Sequence, residues 1–257
     1  MAVEMSEVQG KHVLISGGGT GVGSAIAHSF ADAGAKVTII GRSEQPLLEV
    51  AGQLPNTLAL CADVTDRESI ERMLEKARAQ HGPVNVTIAN AGAVESTPFK
   101  RMTSEQWQQS LAVNLTGTFN LFQSTLDEMT EAGWGRLISI ASTAGLKGYP
   151  YVTGYCAAKH GVIGLVKALA LETAKKGLTV NALCPGFVET PMLERSIENI
   201  MQKTAMDREQ ARSALSKDNP MGGFIQPEEV AQTALFLCTQ GAASINGQAI
   251  AINGGEI

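Results

Sequence analysis

Residues 12–34, HVLISGGGTGVGSAIAHSFADAG, decide the fold. A strand-length apolar run leads into a glycine-rich turn, and an amphipathic helix pattern follows directly. Gly17, Gly21 and Gly23 have the spacing G-x-x-x-G-x-G at the opening of that helix. Glycines there let backbone N–H groups approach a diphosphate at the positive end of the helix. The spacing is not G-x-G-x-x-G, and a tight turn without a ligand is the alternative, but the position after the first strand favours dinucleotide binding.

Further strand-like runs alternate with helix-length segments along the chain: KVTII, TLALC, VNVTIAN, RLISIAS, LTVNALC and GQAIAIN. This order indicates repeated βα units, and the nearly continuous apolar character of the runs is typical of strands covered by helices on both faces. We therefore predict an α/β protein with a doubly wound, Rossmann-like sheet of seven parallel strands. Because no linker-like segment divides the chain, residues 1–257 are predicted to form one domain.

One segment interrupts this alternation of strands and helices after the sixth strand, where a βα loop is normally short. Residues 187–225 are charged and rich in helix-forming residues. We predict that they form a helical substrate lid inserted within the single domain.

Bulk properties exclude several classes of partner. The net charge of −5 and the absence of a basic stripe argue against nucleic acid. No apolar run reaches 18 residues, and acidic residues precede the first strand, so we expect a cytoplasmic protein without a membrane partner. The four cysteines are far apart and no histidine has metal-ligand spacing, which predicts free buried thiols and no metal site.

Two residues bear on the choice of cofactor. The second strand ends IIGRS, so Arg42 follows it where many NAD-binding chains carry an acid. A cation there suits a 2′-phosphate and favours NADP(H) over NAD(H), the alternative being a solvated loop arginine. Asp63 follows the third strand, where it can either accept from an adenine amino group or cap the next helix.

A set of polar residues suggests carbonyl chemistry. Ser142 ends the fifth strand, at the edge where open α/β sheets place their ligands. Tyr155 and Lys159, in YCAAK, share a helix face at i,i+4. With Asn114 in LAVNLTG, the set offers the hydroxyl, phenol, ammonium and amide needed to polarise and protonate a carbonyl oxygen. An adjacent cation lowers the pKa of a phenol, so we expect Lys159 to lower that of Tyr155.

Several motifs in order carry a resemblance: SGGGTGVG, NAG at residues 90–92, AVN ending at Asn114, Ser142, YCAAK and NALCPGFVETPM. Together they resemble the short-chain dehydrogenase/reductase family over essentially the whole chain. Within that family the chain looks most similar to ketoreductases that act on 3-oxoacyl thioesters and polyketides.

The resemblance implies roles for individual residues. Tyr155 would be the catalytic acid/base, and Lys159 would lower its pKa and hold the nicotinamide ribose. Ser142 would orient the substrate carbonyl, and Asn114 would hold a water that links Lys159 to solvent. The expected cofactor contacts are Gly17, Gly19, Thr20, Gly21, Val22, Arg42, Asp63, Val64, Asn90, Ala91, Gly92, Tyr155, Lys159, Pro185, Gly186, Val188 and Thr190.

Three positions depart from the family pattern. Ser16 stands in place of a usual threonine and keeps the hydroxyl, and Ala89 stands in place of a common asparagine. Thr20 occupies a position where many NADP-using members carry a basic residue, which weakens the case built on Arg42 and leaves NAD(H) open.

The resulting hypothesis is an oxidoreductase that moves a hydride between NADP(H) and a ketone or secondary alcohol, with a 3-oxoacyl thioester as the favoured substrate. The alternatives are a dehydrogenase of a cyclic or aryl secondary alcohol, a lyase or epimerase, and a non-catalytic dinucleotide-binding regulatory protein. The last has no need of the intact Ser142, Tyr155 and Lys159. The resemblance also implies a homotetramer, paired through helices around residues 103–130 and 152–176, with the C-terminal INGGEI near another interface.

Overall fold

A computed structural model describes residues 7–257 and shows one sheet of seven strands, all parallel. The strands are β1 (His12–Ser16), β2 (Lys36–Gly41), β3 (Thr57–Cys61), β4 (Val84–Ala89), β5 (Gly135–Ile140), β6 (Leu178–Pro185) and β7 (Ala249–Ile252). Their order across the sheet is β3-β2-β1-β4-β5-β6-β7. The chain therefore winds outward in both directions from β1 and β4, which confirms the predicted doubly wound fold.

Helices cover both faces of this sheet. They are α1 (Gly21–Asp32), α2 (Glu44–Ala51), α3 (Arg67–His81), α4 (Ser104–Leu111), α5 (Gly117–Ala132), α6 (Thr153–Thr173), α7 (Pro191–Lys203), α8 (Arg208–Ser216) and α9 (Pro227–Phe236). Successive residues of β1 point to opposite faces: Val13 and Ile15 pack with α1 and α9, whereas Leu14 packs with α3, α5 and α6. This explains why the strands are apolar throughout.

The helix predicted around residues 103–130 has the expected extent but contains an interruption. A π-helical turn, Ala112–Thr116, joins α4 to α5 and contains the buried Asn114. Such π-helical turns inside α-helices are frequent at functional sites. The second predicted helix, around residues 152–176, is α6 followed by one 3₁₀ turn, Ala174–Lys176. Gly177, with φ of +75°, then ends it in the left-handed conformation.

The insertion at residues 187–225 contains α7 and α8, which pack through a small cluster of Leu193, Ile197 and Ala211. Its two ends pair with each other, because Val188 and Ile225 form a parallel β-bridge. The predicted helical character is therefore present, and the role as a lid remains a prediction.

Cysteine burial differs from expectation at two positions. All four cysteines are free, and Cys184 and Cys238 are buried, but Cys61 is exposed and Cys156 is half-buried. Cys61 ends β3, which is an edge strand, so only one of its sides is covered. Across residues 7–257, no three histidine, cysteine or acidic side chains are grouped to hold a metal. No helix in that range has the length and hydrophobicity needed to cross a membrane.

Candidate active site

The turn between β1 and α1 forms a cradle of backbone groups, in which Thr20 carries the single side chain. Gly17 and Gly21 have φ of +67° and +54°, which favour glycine, and a Cβ at Gly23 would lie 2.1 Å from the carbonyl oxygen of Gly17. Thr20 is the N-cap of α1, yet its side chain makes no capping hydrogen bond. The N–H groups of the first helical turn therefore lack a side-chain acceptor and fit the diphosphate of a dinucleotide.

Neighbouring contacts fix this cradle to the sheet. The N–H groups of Gly17 and Gly18 donate to the carbonyl oxygen of Ile40, at 2.7 and 3.3 Å, and thus join the turn to the end of β2. Gly19 lies against α2, where a Cβ would be 3.1 Å from the Cβ of Pro46. Val22 is half-buried and packs against the core through the first turn of α1.

Asn90 ties the end of β4 to the glycine turn. Its Nδ2 donates to the carbonyl oxygens of Ser16 at 2.9 Å and Gly17 at 3.2 Å. The Ser16 hydroxyl accepts from the N–H groups of Asn90 at 3.0 Å and Ala91 at 2.9 Å. Serine at position 16 thus makes hydrogen bonds that require only a hydroxyl, as expected for its replacement of threonine.

The end of β2 carries the predicted phosphate contact. Arg42 is exposed directly after β2, and the adjacent Ser43, the N-cap of α2, makes no side-chain capping bond. The Thr65 backbone N–H lowers the pKa of Asp63, and the charge of Arg42 lowers it further. Arg42 and Asp63 therefore lie close enough to interact, at the ends of the neighbouring strands β2 and β3.

The helix-capping role considered for Asp63 is wrong. Asp66 caps α3 by accepting from the Ser69 N–H, while Oδ1 of Asp63 accepts from the N–H and hydroxyl of Thr65, at 2.9 and 2.8 Å. Contact of Asp63 with an adenine remains a prediction. Val64 is buried, and its carbonyl oxygen accepts from Nδ2 of Asn120 at 2.9 Å, which holds this segment against α5.

Ser142 and Tyr155 lie together at the carboxyl end of β5. Oγ of Ser142 accepts from the Ala144 N–H at 3.0 Å, which leaves its own proton for a hydrogen bond to an oxygen beside it. Burial raises the pKa of Tyr155 to about 12, although a hydrogen bond with Ser142 acts in the opposite direction. At neutral pH the phenol is protonated, as a phenol with its usual pKa also is, and the two hydroxyl groups lie side by side.

Lys159 does not lower the pKa of Tyr155 below its usual value, contrary to the expectation from sequence. The Lys159 side chain is 3 % exposed, and its Nζ donates to the carbonyl oxygen of Ile140 at 2.8 Å. Burial lowers the pKa of Lys159 itself to about 8. Desolvation of both groups outweighs the attraction between an ammonium and a phenolate.

Asn114 uses most of its hydrogen-bonding capacity within the protein. Its Nδ2 donates to the carbonyl oxygens of Ala93 at 2.8 Å and Ser110 at 3.0 Å, and its Oδ1 accepts from the Ala93 N–H at 3.1 Å. Gly92 lies between Asn114 and Lys159, where a Cβ would be 2.9 Å from Oδ1 and 3.8 Å from Nζ. Asn114 thus holds the loop beside Lys159, and a bound water remains a prediction.

The segment after β6 lies across the crevice from the glycine turn. Pro185 ends β6, and the Gly186 N–H donates to the carbonyl oxygen of Ile252 at 3.0 Å. Val188 pairs with Ile225, and Thr190 caps α7 by accepting from the Leu193 N–H.

Thr190 also connects this segment to the cradle. Its methyl group would lie 3.1 Å from a Cβ at Gly21. The residues predicted on either side of the cofactor are thus in contact across the crevice.

The comparisons with known proteins agree with this geometry. Residues 11–200 match the family model described as short chain dehydrogenase. The chain belongs to the short-chain dehydrogenase family. It is an oxidoreductase with the Rossmann-like fold of that family.

Relatives in this family cover nearly the whole chain. A D-beta-hydroxybutyrate dehydrogenase of Rhizobium meliloti is 36% identical over 95% of this chain and 98% of its own length. A 3-oxoacyl-(acyl-carrier-protein) reductase of Aquifex aeolicus is 36% identical over 97% of this chain and 98% of its own length. The structure of a variant actinorhodin polyketide ketoreductase with NADPH aligns with a TM-score of 0.92 at 34% identity, over 96% of this chain and 97% of that chain.

This short-chain dehydrogenase also has site residues that sequence reasoning missed. Cys184 lies on β6, close to the Ser142 backbone, and burial raises the Cys184 pKa to about 11. The parallel pairing of β6 with β5 brings it there. The position of Cys184 near the end of an apolar strand was the available signal, but from the sequence the residue was interpreted only as a buried thiol.

Proposed function

We propose that this short-chain dehydrogenase reduces the ketone of a 3-oxoacyl thioester with NADPH. The observation that carries the proposal is the Ser142–Tyr155 pair, two hydroxyl groups that lie together beside the buried Lys159 at the carboxyl end of β5. A protonated phenol can donate to a developing alkoxide, which reduction requires. The similarity to a 3-oxoacyl-(acyl-carrier-protein) reductase and to a ketoreductase with NADPH supports the substrate and the cofactor.

The residues divide the reaction between them. The nicotinamide, when bound, supplies the hydride to the carbonyl carbon. Ser142 donates a hydrogen bond to the carbonyl oxygen, and Tyr155 transfers its phenolic proton to that oxygen as negative charge develops. The product is a secondary alcohol, and the phenolate that remains regains a proton from solvent.

Lys159 positions the cofactor. An ammonium has three donors, and one of them is used by the Ile140 carbonyl oxygen, which orients the group. The remaining donors are available to the nicotinamide ribose hydroxyls, as the family resemblance implies.

A free 3-hydroxy acid is the competing substrate class, because a D-beta-hydroxybutyrate dehydrogenase is equally similar. A cationic side chain is the strongest partner for a free carboxylate. Lys159 is buried, and Lys147 in the loop between β5 and α6 already lies 2.7 Å from Oε1 of Glu256. This pairing favours a neutral thioester over a carboxylate.

We further propose a homotetramer in the cytoplasm in which α7 and α8 act as the substrate lid. Leu171 on α6 is 84% exposed and Phe119 on α5 is 40% exposed, so both helices present apolar side chains outward, as an interface requires. The free cysteines fit a reducing compartment. A monomer by light scattering at micromolar concentration would contradict the tetramer.

A substrate panel tests the function. Acetoacetyl-coenzyme A, free acetoacetate, and a cyclic and an aryl ketone are each assayed with NADPH and NADH by loss of nicotinamide absorbance. We expect the thioester with NADPH to give the highest kcat/KM. A higher value for free acetoacetate or for the cyclic ketone would overturn the assignment, and no turnover of any ketone would favour a non-catalytic binding protein.

A further inference from the structure

The penultimate residue of the chain, Glu256, is built into the wall of the active site. Its side chain is only 4% exposed, and Oε1 lies 2.7 Å from Nζ of Lys147 and 2.5 Å from the hydroxyl of Tyr149. Lys147 and Tyr149 belong to the loop between β5 and α6, which also contains Ser142. A carboxylate from the C-terminus therefore organises a loop more than one hundred residues earlier in the sequence.

The hydrogen bonds run in one direction, from the turn that carries the catalytic serine to Glu256. A carboxylate only accepts, so Tyr149 must donate its single proton to Glu256. The Tyr149 oxygen lies 2.7 Å from Oγ1 of Thr143, which must then be the donor in that pair. Thr143 directly follows Ser142 and begins the 3₁₀ turn in which Ser142 accepts from the N–H of Ala144. The chain of contacts thus ends at the turn that fixes the Ser142 hydroxyl.

Glu256 also contacts the segment that follows β6. A Cβ at Gly186 would be 3.2 Å from Oε2 of Glu256, so the carboxylate packs against the bare backbone there. The next residue, Phe187, meets the Tyr149 ring edge to face, with centroids 6.2 Å apart. One carboxylate thus joins the serine-bearing loop to the backbone on the predicted nicotinamide side.

We propose that Glu256 is a positioning residue for reduction, acting through Tyr149 and Thr143 to fix Ser142. This inference rests on the proposed ketone reduction. It assigns Glu256 no contact with substrate, and so predicts a loss in the chemical step with cofactor binding kept.

Glu256→Gln tests the proposal, because it keeps the shape of the side chain and removes the charge that Tyr149 and Lys147 share. We expect kcat to fall about tenfold, while the Kd for NADPH, measured by fluorescence titration, changes less than about twofold. Tyr149→Phe keeps the ring against Phe187 and removes the link to Thr143, so a similar loss is expected. The double variant should lose no more kcat than the single variant with the lower kcat, since both substitutions act through one chain of contacts.

Glu128→Gln is the matched control. Glu128 is a mostly buried carboxylate that pairs with Arg78 and accepts from the N–H of Val84, at the opposite end of β4 from the site. The Glu128→Gln substitution should leave kcat unchanged. All rates are measured well below each variant's Tm. The substrate is whichever ketone of the panel the unmutated chain reduces. A wrong thioester assignment is therefore detected with the unmutated chain, before any variant is compared.

The outcomes separate positioning from stability. A lowered Tm in Glu256→Gln with kcat within twofold of the unmutated value would overturn the proposal, as would additive losses in the double variant. A kcat loss shared by Glu256→Gln and Tyr149→Phe, absent from Glu128→Gln, supports it. If no ketone is reduced, the proposed function fails, and the positioning role fails with it.

Discussion

Nζ of Lys159 lies 5.6 Å from the centroid of the Tyr155 ring and donates its hydrogen bond to a backbone carbonyl instead of the phenol. The hydrogen bond of the ammonium therefore does not go to the phenol oxygen, where a phenolate would carry its charge. Burial of the phenol is the larger effect, because the pKa of Tyr155 rises to about 12. Tyr155 is therefore a protonated phenol at neutral pH, and Lys159 is a buried cation held in place for a different partner.

This arrangement costs stability at neutral pH. The pKa of Lys159 falls from 10.5 to about 8 in the folded chain, so the folded state disfavours the charged form. The penalty is complete below pH 8 and disappears as pH rises toward 10.5, where the unfolded chain also loses the proton. Lys159→Met should therefore be more stable than the unmutated chain at pH 7, by about 1–2 kcal/mol after loss of the Ile140 hydrogen bond.

Urea denaturation at pH 7 and pH 10 measures this effect. The advantage of Lys159→Met should shrink at the higher pH. Lys167→Met, an exposed position on the same helix α6, is the control and should show no such trend. An equal advantage at both pH values would mean that the ammonium is not penalised.

Cofactor choice should depend on Arg42. A charge-assisted contact with a 2′-phosphate contributes about 1.5–3 kcal/mol, so Arg42→Asp should weaken NADPH binding by roughly ten- to a hundredfold and reverse the preference. Arg42→Met, which removes the attraction without adding repulsion, should show a smaller loss. If the unmutated enzyme has a higher kcat/KM with NADH than with NADPH, Arg42 is a solvated loop residue.

An ion-pair network should hold the helical insertion closed. Arg212 on α8 donates to both oxygens of Glu189, each at 3.0 Å, and Glu189 precedes α7. Both side chains are about one-third exposed, so the bidentate pair contributes modestly. Arg212→Met should raise the ketone KM about three- to tenfold and speed trypsin cleavage at Lys203, at the end of α7.

Arg212→Lys keeps the charge but not the forked geometry. Its KM and its rate of cleavage should therefore lie between those of the unmutated chain and those of Arg212→Met. Unchanged KM and cleavage rate in Arg212→Met would show that the insertion does not depend on this pair.

The sequence predicted the sheet and the grouping of Ser142, Tyr155 and Lys159 because both depend on local patterns. Continuous apolar runs mark parallel strands, and the i,i+4 spacing of Tyr155 and Lys159 fixes a shared helix face. The direction of the Tyr155 pKa shift was wrong, because desolvation depends on tertiary packing that no motif encodes. Glu256 was missed for a related reason: it meets Tyr149 across 107 residues of chain, and nothing local distinguishes it from an ordinary terminal acid.

The central claim is that Tyr155 delivers the proton to the substrate oxygen. Tyr155→Phe keeps the ring and removes only the hydroxyl, so its turnover of acetoacetyl-coenzyme A with NADPH, compared with its NADPH Kd, tests the claim most directly. We expect kcat to fall by a factor of about 10²–10⁴, as for loss of a general acid, with the Kd within about twofold of the unmutated value. A kcat comparable to that of the unmutated enzyme would contradict the mechanism.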